Sequence, residues 1–169
     1  MPDRTLVSIA EYHTDAEASL RSYFSPTSPN FPARFVGYLE SEVSTELAQR
    51  LSETDMRSAL VVMARIEAAF RIDYQQRAQK KQPDPVSIEF RKLYKRRGER
   101  VRLDEDIWET WRANVADPVT RSLISNLRSV FKFRHWLAHG RYWPVGRKYD
   151  FQVIYTLADA ALQSFPLFE

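Results

Sequence analysis

Between Asp117 and Gly140 the chain reads as one helix with a charge set into its apolar face, and this stretch restricts the possible folds more than any other. Asp117 is a good N-cap and Pro118 a good first helical residue. Val119, Leu123, Leu127, Val130 and Phe131 then recur at helical spacing. At about 100° per residue, Arg134 falls near the middle of that stripe, in line with Leu127 and Val130. A guanidinium remains charged, so an inward arginine needs an anion to meet it. Glu67 is the expected counterpart, because it sits between Met63 and Phe70 in the apolar stripe of an earlier helix. An ion pair between Glu67 and Arg134 would join the two helices.

The rest of the chain supports an all-α fold. Only 4 glycines occur in 169 residues, few for a protein built of hairpins, and 44% hydrophobic with 13% aromatic residues is enough for one packed core. The absence of cysteine removes disulfides, thiolate metal sites and thiol nucleophiles together. A formal charge of +3 is compatible with a nucleic-acid partner without identifying one. The opening Met1-Pro2-Asp3-Arg4 lacks the layout of a signal peptide, and no apolar run reaches a membrane span, so a cytoplasmic protein without membrane contact is expected.

In chain order, residues 1–30 read as an N-terminal arm and linker. Ser8 to Tyr23 is a short helix contacting its surroundings through Ile9, Tyr12 and Leu20, and the turn formers Ser25 to Asn30 follow it. Residues 31–169 form the main helical domain. A first core helix is expected over Pro32 to Leu51, with Phe35, Leu39, Val43 and Leu47 every fourth residue. A turn and cap follow at Ser52 to Asp55, then a second helix over about residues 55–80 with Met56, Leu60, Met63, Phe70 and Tyr74 inward. Val86 to Arg97 is a short helix ending at Gly98. Leu103 to Ala116 is another, whose Trp108 and Trp111 read as core or interface anchors. The long helix from Asp117 comes next, and a last one begins at Asp150 and stops before Pro166. The sum is a bundle of four main helices plus one or two short ones.

Arg134 and His139 together make Arg-x4-His, with the polar His135 directly after the arginine and Gly140 directly after the second histidine. This arrangement, near the end of a helical chain, resembles the signature of the HEPN superfamily, helical domains found in many toxin, phage-defence and CRISPR-associated ribonucleases. The resemblance extends over roughly Phe31 to Phe165. It implies a HEPN-like bundle and a metal-independent endoribonuclease without cofactor. It also implies a homodimer whose two motifs meet in one composite site, and regulation by a cognate antitoxin or other partner. In one toxin branch, paired with a nucleotidyltransferase antitoxin, the motif continues as His-x-Tyr; here Tyr142 gives His-x-x-Tyr instead.

The residue types suit that chemistry. RNA is cleaved without a metal when its 2'-hydroxyl attacks the adjacent phosphate, which calls for a base, an acid and positive charge on the transition state. Histidine titrates near neutrality, and the arginine fork meets phosphate oxygens while staying protonated. Arg134 and His139 are the expected catalytic pair, with Glu67 and His135 in support. On an unbroken helix the two would point about 140° apart, so the chain has to end or bend at Gly140 for His139 to swing inward. Arg91, Lys92, Lys95, Arg96 and Arg97, with Arg100 and Arg102, face a single acid, Glu99. This run is either a solvated helix face or, with Arg141, an RNA-phosphate contact surface.

Three other readings stay open. His135 and His139 have a zinc-ligand spacing, but Trp136 stands where a zinc protease needs glutamate, and the third histidine, His13, is far away in sequence. A HEPN-like module that binds RNA or nucleotides, or dimerises, without catalysis fits the same bundle. So does a helical protein in which Arg134 is only a core ion-pair partner.

Overall fold

The computed structural model describes residues 5–140, 144 and 148–168, and every regular element among them is helical. In order these are α1 (Leu6–Tyr23), α2 (Phe31–Arg34), α3 (Glu40–Gln79) and α4 (Pro85–Arg97), then a 3-10 turn at Gly98–Arg100. A π-helical turn, Leu103–Ile107, runs directly into α5 (Trp108–Asn114), and α6 (Pro118–Ala138) and α7 (Phe151–Ser164) complete the chain. No helix among the described residues is long and apolar enough to cross a membrane.

Helix α3 is the axis of the molecule. With 40 residues it is about 60 Å long, and α1, α4, α6, α7 and the π-helical turn all pack along it. Met63, Ile66, Phe70 and Tyr74 of α3 share one core with Leu127, Val130 and Phe133 of α6, Ile154 of α7 and Phe90 of α4. Trp108 and Trp111 are buried in the same core. Leu6 and Ile9 of α1 belong to it as well, so the N-terminal helix shares the interior of the bundle. A small second cluster, Phe24, Phe35 and Val43, lies at the N-terminal end of α3.

Three expectations are corrected. The helix expected over Pro32–Leu51 begins only at Glu40, because Gly37 takes a left-handed φ of 81° and turns the chain. Leu39 is consequently exposed, while the Glu42 carboxylate accepts the Leu39 N–H at 2.7 Å and fixes the helix start. Nor is there a turn at Ser52–Asp55. The helix continues through it, the Thr54 hydroxyl donating back to the Arg50 carbonyl at 2.9 Å. Asp55 caps a different helix: its carboxylate accepts the Phe151 N–H at 3.0 Å, at the start of α7. Burial, opposed by that bond, raises the Asp55 pKa above the ordinary 3.8. Finally, the buried face of α6 is Ile124, Leu127, Val130, Phe133, Trp136 and Leu137, whereas Val119 is exposed. That rotation moves Arg134 from the middle of the stripe to its edge.

Candidate functional site

The start of α6 follows its sequence signals. Asp117 accepts the N–H groups of Val119 at 3.3 Å and Thr120 at 2.8 Å, and Pro118 is the first helical residue. Four turns later α6 carries Arg134 across α3 at the level of Glu67. The Arg134 Nη2 lies 2.9 Å from Glu67 Oε2 in an ion pair, with 37% of the arginine side chain and 19% of the glutamate side chain exposed. The pair expected from the sequence is therefore present, at the rim of the core rather than inside it. Glu67 also serves a second arginine: Arg71, one turn further along α3, donates Nε to Glu67 Oε1 at 2.8 Å and Nη1 to the Val101 carbonyl at 3.4 Å.

These side chains open onto a cavity of about 730 Å³ between α3, α6 and the π-helical turn. Five cations line it, Arg71, Arg102, Arg128, Lys132 and Arg134, against two carboxylates, Glu67 and Asp104. Trp108 and Phe131 supply an aromatic wall, their rings edge-to-face at 4.8 Å. Trp108 is fully buried, and its indole N–H has no hydrogen-bond partner among the described residues. Arg128 bridges the Asp104 carbonyl at 2.8 Å and the Glu109 carboxylate at 2.7 Å, and that guanidinium holds the Glu109 pKa below its usual value. Lys132 is exposed and has no ion-pair partner among the described residues. Arg102 is paired with Glu105 at 2.7 Å, so Arg71, Lys132 and Arg134, beside the half-buried Phe131 ring, are the cations left to suit an anionic ligand.

His135 lines this cavity and His139 does not. Helix α6 stops at Ala138, with His139 as its C-cap and Gly140 at a φ of 86°. His139 is exposed, its ring centroid 4.1 Å from that of His135. The structure therefore groups Glu67, Arg134 and His135 at the cavity and leaves His139 beside them at the helix end. No group of three or more His, Asp or Glu side chains is arranged to hold a metal ion among the described residues.

The basic run lies elsewhere. Helix α4 packs chiefly on α3 and α5, and Arg91, Lys92, Lys95, Arg96 and Arg97 do not reach the cavity. Much of the run is already engaged. Arg91 donates to the Gln82 carbonyl at 2.8 Å, Lys92 pairs with Glu89 at 2.7 Å, and Arg97 pairs with Asp106 at 3.3 Å. Lys95 and Arg96 are exposed without such partners among the described residues. Of the wider run only Arg102 lines the cavity. Arg141 and Tyr142 lie outside the described residues.

Sequence reasoning missed Arg71, Arg128 and Lys132, and it missed the buried ion pair Asp73–Arg77. Asp73 is fully buried, and its carboxylate accepts Arg77 Nε at 2.7 Å, the Phe168 N–H at 3.0 Å and Trp111 Nε1 at 3.2 Å. Arg77 further donates to Asp84 at 3.1 Å, Ser87 at 3.3 Å and the Pro166 carbonyl at 2.5 Å. Its guanidinium lies 4.3 Å over the Phe168 ring. Burial raises the Asp73 pKa above 3.8 against the pull of these donors. The available signal was a four-residue acid–arginine spacing, at Glu67–Arg71 and again at Asp73–Arg77. His13, the remaining histidine, is buried on α1, with Nδ1 3.1 Å from the Ser58 hydroxyl and its ring stacked on Phe151.

No protein-family model matches the chain, and no curated protein or solved structure matches it either.

Proposed function

We propose that the chain is a metal-independent endoribonuclease of HEPN type, a cytoplasmic toxin or phage-defence effector that acts on RNA as a homodimer. The observation that carries the reading is Arg134. It is tethered by Glu67 and still over a third exposed at a cationic cavity, five residues before a histidine at the end of the same helix. Arg134 binds the scissile phosphate and opposes the charge that builds on it. The 2'-oxygen forms a bond to phosphorus as the bond to the 5'-oxygen breaks. One imidazole takes the 2'-hydroxyl proton and another group returns a proton to the departing oxygen. His139 fills one of these roles, and the motif of a second copy supplies the other. A cognate antitoxin or similar partner is part of this proposal.

The test is cleavage by the purified protein in excess EDTA. Wild type should leave 2',3'-cyclic phosphate ends, and Arg134→Ala and His139→Ala should each lower the rate by about two or more orders of magnitude. Undiminished activity in both variants would remove the site.

A second reading is a HEPN-like module that binds RNA or nucleotides without cutting, and the absence of His139 from the cavity lining favours it. Tight RNA binding with no cleavage of any substrate would establish that reading in place of the first.

A further inference from the structure

We propose that Arg71 is a second phosphate-binding residue of this cavity, and that Arg71 and Arg134, fixed by the two oxygens of Glu67, close on one RNA phosphate as a clamp. The proposal rests on the RNA reading of the site and adds a residue to it. Arg71 Nε sits 2.8 Å from Oε1 and Arg134 Nη2 sits 2.9 Å from Oε2, so two guanidiniums flank a single carboxylate. One negative charge offsets only one of them. Asp104 adds a second carboxylate to the wall, but Lys132, which has no ion-pair partner among the described residues, keeps the surplus, and that surplus attracts a further anion.

Donor accounting gives the same result. A guanidinium carries five N–H groups. Arg71 commits Nε to Glu67 and one Nη1 proton to the Val101 carbonyl, and Arg134 meets Glu67 through an ion pair at Nη2. The remaining donors have no acceptor among the described residues, and both side chains are more than a third exposed toward the cavity. Arg77, six residues after Arg71, shows what a purely structural arginine looks like in this molecule. It is 6% exposed and spread over four acceptors. Arg71 lacks that saturation, and a phosphate supplies it. Two guanidiniums already held at one carboxylate meet a phosphate with little further loss of side-chain freedom.

The probe is a fluorescent 2'-O-methyl oligoribonucleotide, which cannot be cleaved, titrated with the full chain over a range of salt. Arg71→Ala should weaken binding about tenfold or more and make the slope of log K against log salt shallower by about 0.7, the value for one lost single-strand phosphate contact. Arg71→Lys should restore the slope but not the full affinity, because an ammonium lacks the fork. Weaker binding with an unchanged slope would mean that Arg71 only holds Glu67, and would overturn the clamp. So would wild-type affinity in Arg71→Ala alongside lost affinity in Arg134→Ala, with the ribonuclease reading left standing. A wild type that neither binds this probe nor cleaves RNA would remove the reading on which the clamp rests.

Discussion

Glu67 and Asp73 stand six residues apart on α3, and each anchors arginine. Around Asp73 the carboxylate accepts three bonds, Arg77 donates to four acceptors, two aromatic rings lie over the guanidinium, and both side chains are buried. Around Glu67 one carboxylate is divided between two arginines that are each over a third exposed and line an open cavity. The first arrangement is closed by its own neighbours; the second is left open to the cavity. The same pair of residue types on one helix thus yields a structural staple in one place and a candidate recognition site in the other. What separates them is whether the surrounding elements close over the pair.

Variants at the two places should separate stability from activity. Asp73→Ala leaves Arg77 buried without its main counter-charge, and should cost about 3–5 kcal/mol of unfolding free energy in denaturant titration. Arg134→Ala should cost no more than about 1 kcal/mol in the same assay, while carrying the large loss of cleavage given above. Equal stability losses would erase the distinction between the clusters.

Glu67→Gln is the intermediate case. It keeps a neutral acceptor for one arginine and removes the charge shared by both, so about 1 kcal/mol of stability should be lost, together with a measurable fall in cleavage. A variant unchanged in both respects would mean that the carboxylate does not position Arg134.

The smallest effect is on titration. An Asp73 pKa raised above 3.8 by burial means that the folded chain holds this proton more tightly than the unfolded chain. Between 3.8 and that raised value, stability from this group falls as pH rises, and acidification through the same window restores it. Carbon-detected NMR of the Asp73 carboxyl should give a midpoint above 3.8; one below it would show that the donors outweigh burial.

Local signals in the sequence were reliable where local chemistry decides the outcome. Asp117 and Pro118 start α6, Trp108 and Trp111 are buried, and Glu67 meets Arg134. They misled where a distant element takes over a polar group. Asp55 reads as the cap of its own helix, yet its carboxylate serves Phe151, and α3 runs on without a break. The spacing of Asp73 and Arg77 does not by itself distinguish a buried pair from an exposed one. Only the arrival of Trp111, Pro166 and Phe168 makes them interior. The cavity was hidden for the same reason: Arg71, Arg128 and Lys132 come together through the crossing of α3 and α6 beside the π-helical turn, which no periodicity along one helix reveals.

The two bonds from α3 to the far end of the chain have a consequence for how the molecule is made. Phe151 N–H reaches Asp55 across 96 residues, and Phe168 N–H reaches Asp73 across 95. Synthesis proceeds from the N-terminus, so the central helix leaves the ribosome with both carboxylates still lacking these partners. Contacts this distant in sequence are slow to form, because a long loop has to close first. Asp55 and Asp73 therefore gain these partners only once residues 151–168 have been made and have packed against α3.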